Sequence, residues 1–214
     1  MYVRERPTRL HLVRHGEVDE AYHQVFGGNI DMELSPVGHD QAKGLAKFLQ
    51  CHNYDYIYRS PMVRVQQTAK PLLDALGREA EVIGDLREVD FGVWTGHKWH
   101  EIQEKFGVDA EDWLVHLENG DVDEAESMDG YRSRIRGSLE HMMGEGSGQV
   151  VLVLCHGGVI RMLMSLLLDE PFSKMDRYEV DFASLTVIEH RSNRAEIKLH
   201  NFAPWLWLGK NGEM

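Results

Sequence analysis

Two apolar runs in this chain stop in the same way. Leu10-His11-Leu12-Val13 runs into Arg14-His15-Gly16-Glu17, and Val150-Val151-Leu152-Val153-Leu154-Cys155 runs into His156-Gly157-Gly158. A buried strand seldom ends on bulky, cation-capable side chains unless they face a cleft. Gly16 is expected to let the backbone turn sharply and approach a ligand closely. Two strands that both finish in His-Gly therefore predict two imidazoles at one edge of a sheet. In open α/β sheets that edge, outside the carboxyl ends of the strands, is where ligands bind.

The rest of the chain supplies alternating helices and strands. Ser35-Pro36 opens a helix, a hydroxyl cap followed by proline at the first position, with Ala42, Leu45, Ala46 and Leu49 inward. Asp55 to Arg59 reads as a strand. Ser60-Pro61 reads as the start of a second helix with Met62, Val65, Ala69, Leu72 and Leu76 on one side, kinked or shortened by Pro71. Ala80 to Ile83 reads as a short strand and Leu86 to Gly92 as loop. Residues 97–119 carry one or two short amphipathic helices, with Trp99, Ile102, Phe106, Trp113, Leu114 and Leu117. The acidic run Gly120 to Asp129 is an exposed loop in this reading. Next come a helix with Tyr131, Ile135, Leu139 and Met142 inward, the second His-Gly strand, and a buried helix Val159 to Leu168. Two β segments close the chain, near Val180 to Glu189 and Glu196 to Phe202, before an apolar tail from Phe202 to Leu208. The expected architecture is a three-layer α/β sandwich with a largely parallel central sheet. With no repeat, linker or composition break, residues 1–214 read as a single domain.

A net charge of −12 over 214 residues argues against nucleic acid and anionic membranes as partners, since both reward a basic face. It leaves room for a small anionic substrate held by a local cluster of arginines. Two cysteines, Cys51 and Cys155, are too few for a disulfide framework and fit a reducing compartment. No apolar stretch approaches a membrane span, and the start has no apolar signal core, so the expected location is cytoplasmic. The tail Trp205-Leu206-Trp207 either packs over the domain, the favoured reading, or makes a contact in a homodimer.

Taken singly, the polar residues at these strand ends are equally compatible with surface ion pairs and satisfied core histidines. Arg64 also has a bland account, with one small hint beside it. A cation in the first turn of a helix opposes the helix dipole, which hints at an anion nearby. The combination is more specific. Leu-Val-Arg-His-Gly-Glu stands near the start, followed in order by Ser-Pro-x-x-Arg-x-x-Gln-Thr-Ala, Leu-Arg-Glu-x-Asp-Phe-Gly-x-Trp-x-Gly, and a strand ending His-Gly-Gly-Val-Ile-Arg. Together, from residue 10 to residue 161, they resemble the histidine phosphatase superfamily, the phosphoglycerate-mutase-like proteins. The compact length and the Leu-Arg-Glu stretch look most like the α-ribazole-phosphate and broad-specificity phosphatase branches.

The resemblance implies a phosphomonoester hydrolase acting on a small phosphorylated metabolite through a phosphohistidine. It implies His15 as nucleophile and Glu88 as general acid and then base. Arg14, Arg64 and His156 would neutralise the phosphoryl oxygens, and Gly157 would let the backbone approach them. No metal or other cofactor is implied; the histidines include no helix-spaced pair with a carboxylate partner. Two positions depart from the family pattern. Val18 stands where many members carry Ser or Thr, and Ala21 where they carry a phosphate-contacting Asn. A phosphoglycerate mutase is the first alternative. Only residues 97–126 separate Trp94-Thr95-Gly96 from Ser127, without an arginine- and tyrosine-rich lid, so water is expected to win the second half-reaction. The acidic loop 120–126 and Trp99 or Trp113 are candidates for the pocket mouth, although packing in a helical cap explains the tryptophans more simply. The second alternative is a non-catalytic relative that binds phosphorylated ligands.

Overall fold

The computed structural model describes residues 6–144, 148–192 and 194–207. Six strands form one sheet: β1 (Thr8–Arg14), β2 (Tyr56–Arg59), β3 (Glu81–Val82), β4 (Val150–Cys155), β5 (Leu185–Arg191) and β6 (Arg194–Phe202), in the order β3-β2-β4-β1-β5-β6. The β3-β2, β2-β4 and β4-β1 pairs are parallel, and β5 runs antiparallel to both its neighbours. The sheet is thus largely parallel, as its alternation with helices predicts.

Side-chain alternation along β4 shows how the sheet divides two cores. Val151, Val153 and Cys155 enter one apolar cluster, while Leu152 and Leu154 enter the other. The second cluster is completed by α1 (Pro36–Leu49) and α2 (Val63–Leu76). The first is completed by α5 (Met128–Met143), α6 (Gly157–Leu168) and the cap helices α3 (Trp99–Phe106) and α4 (Trp113–Asn119). The chain therefore leaves β1 toward one face and β4 toward the other. These two central strands part at their carboxyl ends, the switch-point geometry at which such sheets form clefts.

The α1 prediction holds in detail: Ser35 Oγ accepts from the Gly38 amide at 2.9 Å, and Ala42, Leu45, Ala46 and Leu49 are buried. The second helix starts later than Ser60-Pro61 suggests. Ser60 still donates its amide to Leu154 O (3.0 Å), so sheet pairing runs one residue past β2, and Asp31 Oδ1 accepts from the Val63 amide instead (2.8 Å). Nor does Pro71 end α2, which continues to Leu76 and stops at Gly77 in the left-handed region (φ 61°). An interior proline costs roughly 3 kcal/mol, and burial of Val65, Thr68, Ala69 and Leu72 along this helix offsets it.

Residues 87–91 are loop as the sequence suggests, bounded by short 3₁₀ turns at Gly84–Leu86 and Gly92–Trp94. Near the chain end, β5 begins at Leu185 rather than near Val180. Ala183 sits at φ 51° to donate its amide to His15 O (2.9 Å), and that bend delays the strand. In the tail Trp205 packs against the sheet's second cluster and donates Nε1–H to Phe182 O (3.2 Å). Leu206 and Trp207 stay exposed, and Leu208 lies outside the described residues. Among the described residues no helix is long and apolar enough to cross a membrane.

Candidate active site

Register explains why the two His-Gly sequences meet. In the parallel β1–β4 pair Arg14 lies opposite Cys155, and the His15 amide donates to Cys155 O at 3.1 Å. His15 and His156 are the next residue on each strand, and their rings meet edge to face with centroids 5.3 Å apart. Both are buried.

Gly16 serves a different end from the one its sequence suggests. A Cβ there would stand 2.7 Å from Gly38 O, and one on Gly38 would stand 2.0 Å from Glu17 O. The two glycines let the turn after β1 pack onto the first turn of α1; the close approach is to protein backbone. The turn is pinned further by Thr68 Oγ1 accepting from the Gly16 amide (2.9 Å) and Gln41 Oε1 accepting from the Glu17 amide (2.8 Å).

The hydrogen bonds fix the tautomers. His15 Nδ1 lies 2.8 Å from Gly16 O. A carbonyl can only accept, so Nδ1 carries the proton. Burial first, then the Arg64 and Arg14 charges, hold the His15 pKa well below its ordinary value. The ring is therefore neutral near pH 7 and Nε2 keeps a free lone pair. His156 is held just as firmly. Arg64 donates Nε–H to its Nδ1 (3.2 Å), which makes Nε2–H the donor to Ser60 Oγ (2.8 Å). Burial, Arg64 and then His15 keep this ring neutral as well.

Arg64 is 2 % exposed and also donates to Ile30 O (2.7 Å) and Gly28 O (3.2 Å). The Phe26-Gly27-Gly28 loop thus anchors the guanidinium as well as lining the cleft. Arg14 donates to Val180 O (2.6 Å) and stacks over the Phe182 ring at 4.0 Å. Burial and the neighbouring Arg161 bring its pKa down to about 10, still charged at neutral pH. Across from these cations, Glu88 accepts from two backbone amides, Val89 to Oε1 and Gly158 to Oε2, each at 3.1 Å. The second donor belongs to the first turn of α6, where the dipole favours a carboxylate.

These groups face one cavity of about 370 Å³. Arg14, His15, Arg64, Glu88 and Gly157 line it, and His156 lies behind, between Arg64 and Ser60. All six residues singled out in the sequence converge. Trp99 and Trp113 line the cavity too, so they do more than pack a cap; no residue of the acidic loop 120–126 lines it. Within that loop, Glu126 instead pairs with Arg134 at 2.6 Å. Ala21 is exposed and off the cavity wall, whereas Tyr22 and Gln24 are on it. Three contributors have no role that the sequence motifs assign: Ser60, Phe182 and Arg161. Ser60 and Arg161 stand inside the quoted motifs, but nothing local marks Phe182, which arrives from β5's bent approach. Among the described residues no three His, Cys, Asp or Glu side chains converge as metal ligands would.

A phosphate-sized anion site with a free imidazole nitrogen and a carboxyl group opposite defines a phosphoryl-transfer cleft. The chain belongs to the histidine phosphatase superfamily (branch 1), whose sequence model matches residues 10–203. It is 32% identical over 189 residues to phosphoserine phosphatase 1 of Hydrogenobacter thermophilus, covering 87% of this chain and 89% of that one. The adenosylcobalamin/alpha-ribazole phosphatase of Escherichia coli is 23% identical over 193 residues, 90% of this chain and 95% of that one. Among solved structures, a mycobacterial glucosyl-3-phosphoglycerate phosphatase superposes with a TM-score of 0.81 at 26% identity, covering 92% of this chain and 99% of that one. The protein is accordingly a histidine phosphatase, hydrolysing phosphomonoesters.

Proposed function

We propose that the chain hydrolyses a small phosphorylated metabolite in two displacements at His15. In the first, His15 Nε2 attacks phosphorus as the bond to the leaving oxygen breaks, and Glu88 gives that oxygen its proton. Nδ1–H, held by Gly16 O, stabilises the charge that develops on the ring. Arg14 and Arg64 meet the phosphoryl oxygens, each such charge-assisted bond being worth roughly 1.5–3 kcal/mol. His156 keeps Arg64 in place through its Nδ1. In the second displacement Glu88, now ionised, takes a proton from water, the water oxygen bonds to phosphorus, and the P–N bond breaks. The sum is ester plus water giving alcohol and inorganic phosphate.

The observation that carries this reading is the buried, neutral His15 with its Nδ1 committed to a carbonyl and its other nitrogen free. Phosphoserine and α-ribazole, named for two of the similar phosphatases, are small molecules, which supports the substrate size. Release of water-derived phosphate is favoured over a mutase because between Gly96 and Ser127 the chain builds only the short helices α3 and α4 and the 3₁₀ turn joining them. The single sheet supports one domain, and the free cysteines Cys51 and Cys155 suit the cytoplasm.

The test is turnover of p-nitrophenyl phosphate with acid quench. Wild-type protein releases phosphate and yields an acid-labile, base-stable phosphoryl adduct, and His15→Ala does neither. Turnover that survives His15→Ala would remove the nucleophile from this scheme; no turnover by the wild type would leave a binding protein.

A further inference from the structure

Arg161 is the one cavity cation to which the two-displacement scheme gives no task. It rises from α6 one turn after Gly157 and lines the cavity, with its guanidinium 5.8 Å over the Trp113 ring. Its only hydrogen bond among the described residues is a long one, NH1 to Gly157 O at 3.5 Å, and its buried Nε has no partner. Glu88 and Asp176 lie near enough to be felt by its charge, yet neither forms an ion pair with it. Arg134 shows the contrast: also half-buried, it is bonded to Glu126 through both Nε and NH2. A half-buried guanidinium with a buried, unpartnered Nε and one long hydrogen bond is costly unless a ligand supplies an acceptor.

Charge balance says what that ligand group is. The cavity wall carries three guanidiniums, Arg14, Arg64 and Arg161, against one carboxyl, Glu88. A phosphoryl dianion matches Arg14 and Arg64. Glu88 must be protonated to serve the leaving oxygen, so one positive charge then stands uncompensated. Its position is on the leaving-group side, since Arg161 shares the first turns of α6 with Gly158, the residue whose amide holds Glu88. A Cβ on Gly157 would sit 3.4 Å from Arg161 NH1 and 3.6 Å from Arg14 Nε, so the two cations flank that glycine.

We infer that Arg161 is a specificity residue that receives a carboxylate on the alcohol portion of the substrate, so that the preferred substrates are phosphomonoesters of hydroxy acids. The inference rests on the phosphatase reading above.

The experiment compares kcat/KM for 3-phosphoglycerate with that for glycerol 3-phosphate, which replaces the carboxylate by a hydroxymethyl group, and uses p-nitrophenyl phosphate as the reference ester. Wild-type protein should favour the carboxylated ester by roughly 10- to 100-fold, the worth of one charge-assisted pair. Arg161→Met should bring that ratio to about threefold or less, and Arg161→Lys, which keeps charge but not the fork, should fall between. A wild-type ratio near one, or a ratio that Arg161→Met leaves unchanged, overturns the assignment while turnover of p-nitrophenyl phosphate keeps the phosphatase reading intact. Failure on all three esters sinks that reading instead. Should Arg161→Met not fold, the lysine variant decides: KM should rise several-fold for 3-phosphoglycerate and not for glycerol 3-phosphate, and an equal change in both overturns the assignment.

Discussion

The Gly158 amide holds Glu88 Oε2 at 3.1 Å, and a Cβ on Gly158 would stand 2.5 Å from Glu88 Oε1. The second glycine of His-Gly-Gly is thus the seat of the proposed acid. Gly158→Ala should displace the carboxyl group and lower kcat by about 10²- to 10⁴-fold, the usual contribution of a placed acid. Alkyl phosphates, whose leaving oxygen needs the proton, should lose much more than p-nitrophenyl phosphate. An equal loss on both esters would show that Glu88 is not the proton donor.

Among the described residues Ser60 accepts the one other hydrogen bond of the His156 ring, inside a site where His156 is fully buried. Ser60→Ala strands an N–H that water cannot reach, which costs about 1–3 kcal/mol. The expected result is a lower thermal midpoint and about tenfold lower kcat/KM, through looser placement of Arg64. Ser60→Thr, which keeps a hydroxyl, should recover most of both.

His15 and His156 are neutral because burial lowers their pKa values well below 6.5. Between pH 7 and 5.5 their ring resonances should therefore hold steady in an NMR titration while an exposed histidine shifts. Movement of the His15 signal with a midpoint near 6.5 would contradict the free-lone-pair assignment.

His11, buried midway along β1 against His52 and Tyr54, has its pKa lowered to about 4, by burial first and then by His52. Below the unfolded value of about 6.5 the unfolded chain binds a proton that the folded chain refuses, so stability falls as pH drops from 6.5 toward 4. At pH 5 this group alone should cost about 2 kcal/mol. Urea unfolding at pH 7 and pH 5 measures the loss, and His11→Phe should lessen it by about that amount.

Gly38 is enclosed by the Glu17 backbone, and no side chain can move aside there. Gly38→Ala should destabilise the fold by roughly 2 kcal/mol or more, measured by denaturant unfolding. Because the displaced strand end carries His15, activity should fall in the same variant below its unfolding transition.

Much of the site was legible in the chain. The strand-ending Arg14-His15 and His156-Gly157, the helix-start Arg64 and the motif carboxyl Glu88 each stand in a local pattern that states what the residue can do, and hydrophobic period placed the strands and helices beneath them. What local pattern could not convey was who touches whom. That Ser60 orients His156 follows from pairing between β2 and β4, ninety-odd residues apart in sequence. That Gly16 is reserved for α1 rather than for a ligand follows from the packing of one turn on another. Phe182 reaches Arg14 only because Ala183 bends to bond His15 O. Arg161 became informative through its buried Nε, which lacks an acceptor, and a missing partner is a property of three-dimensional surroundings. Sequence fixes which groups exist and on which face of an element they stand, because period and propensity act over a few residues. Only the tertiary structure decides their protonation, their partners and their spare valence, because burial and hydrogen bonding join residues that the chain keeps far apart.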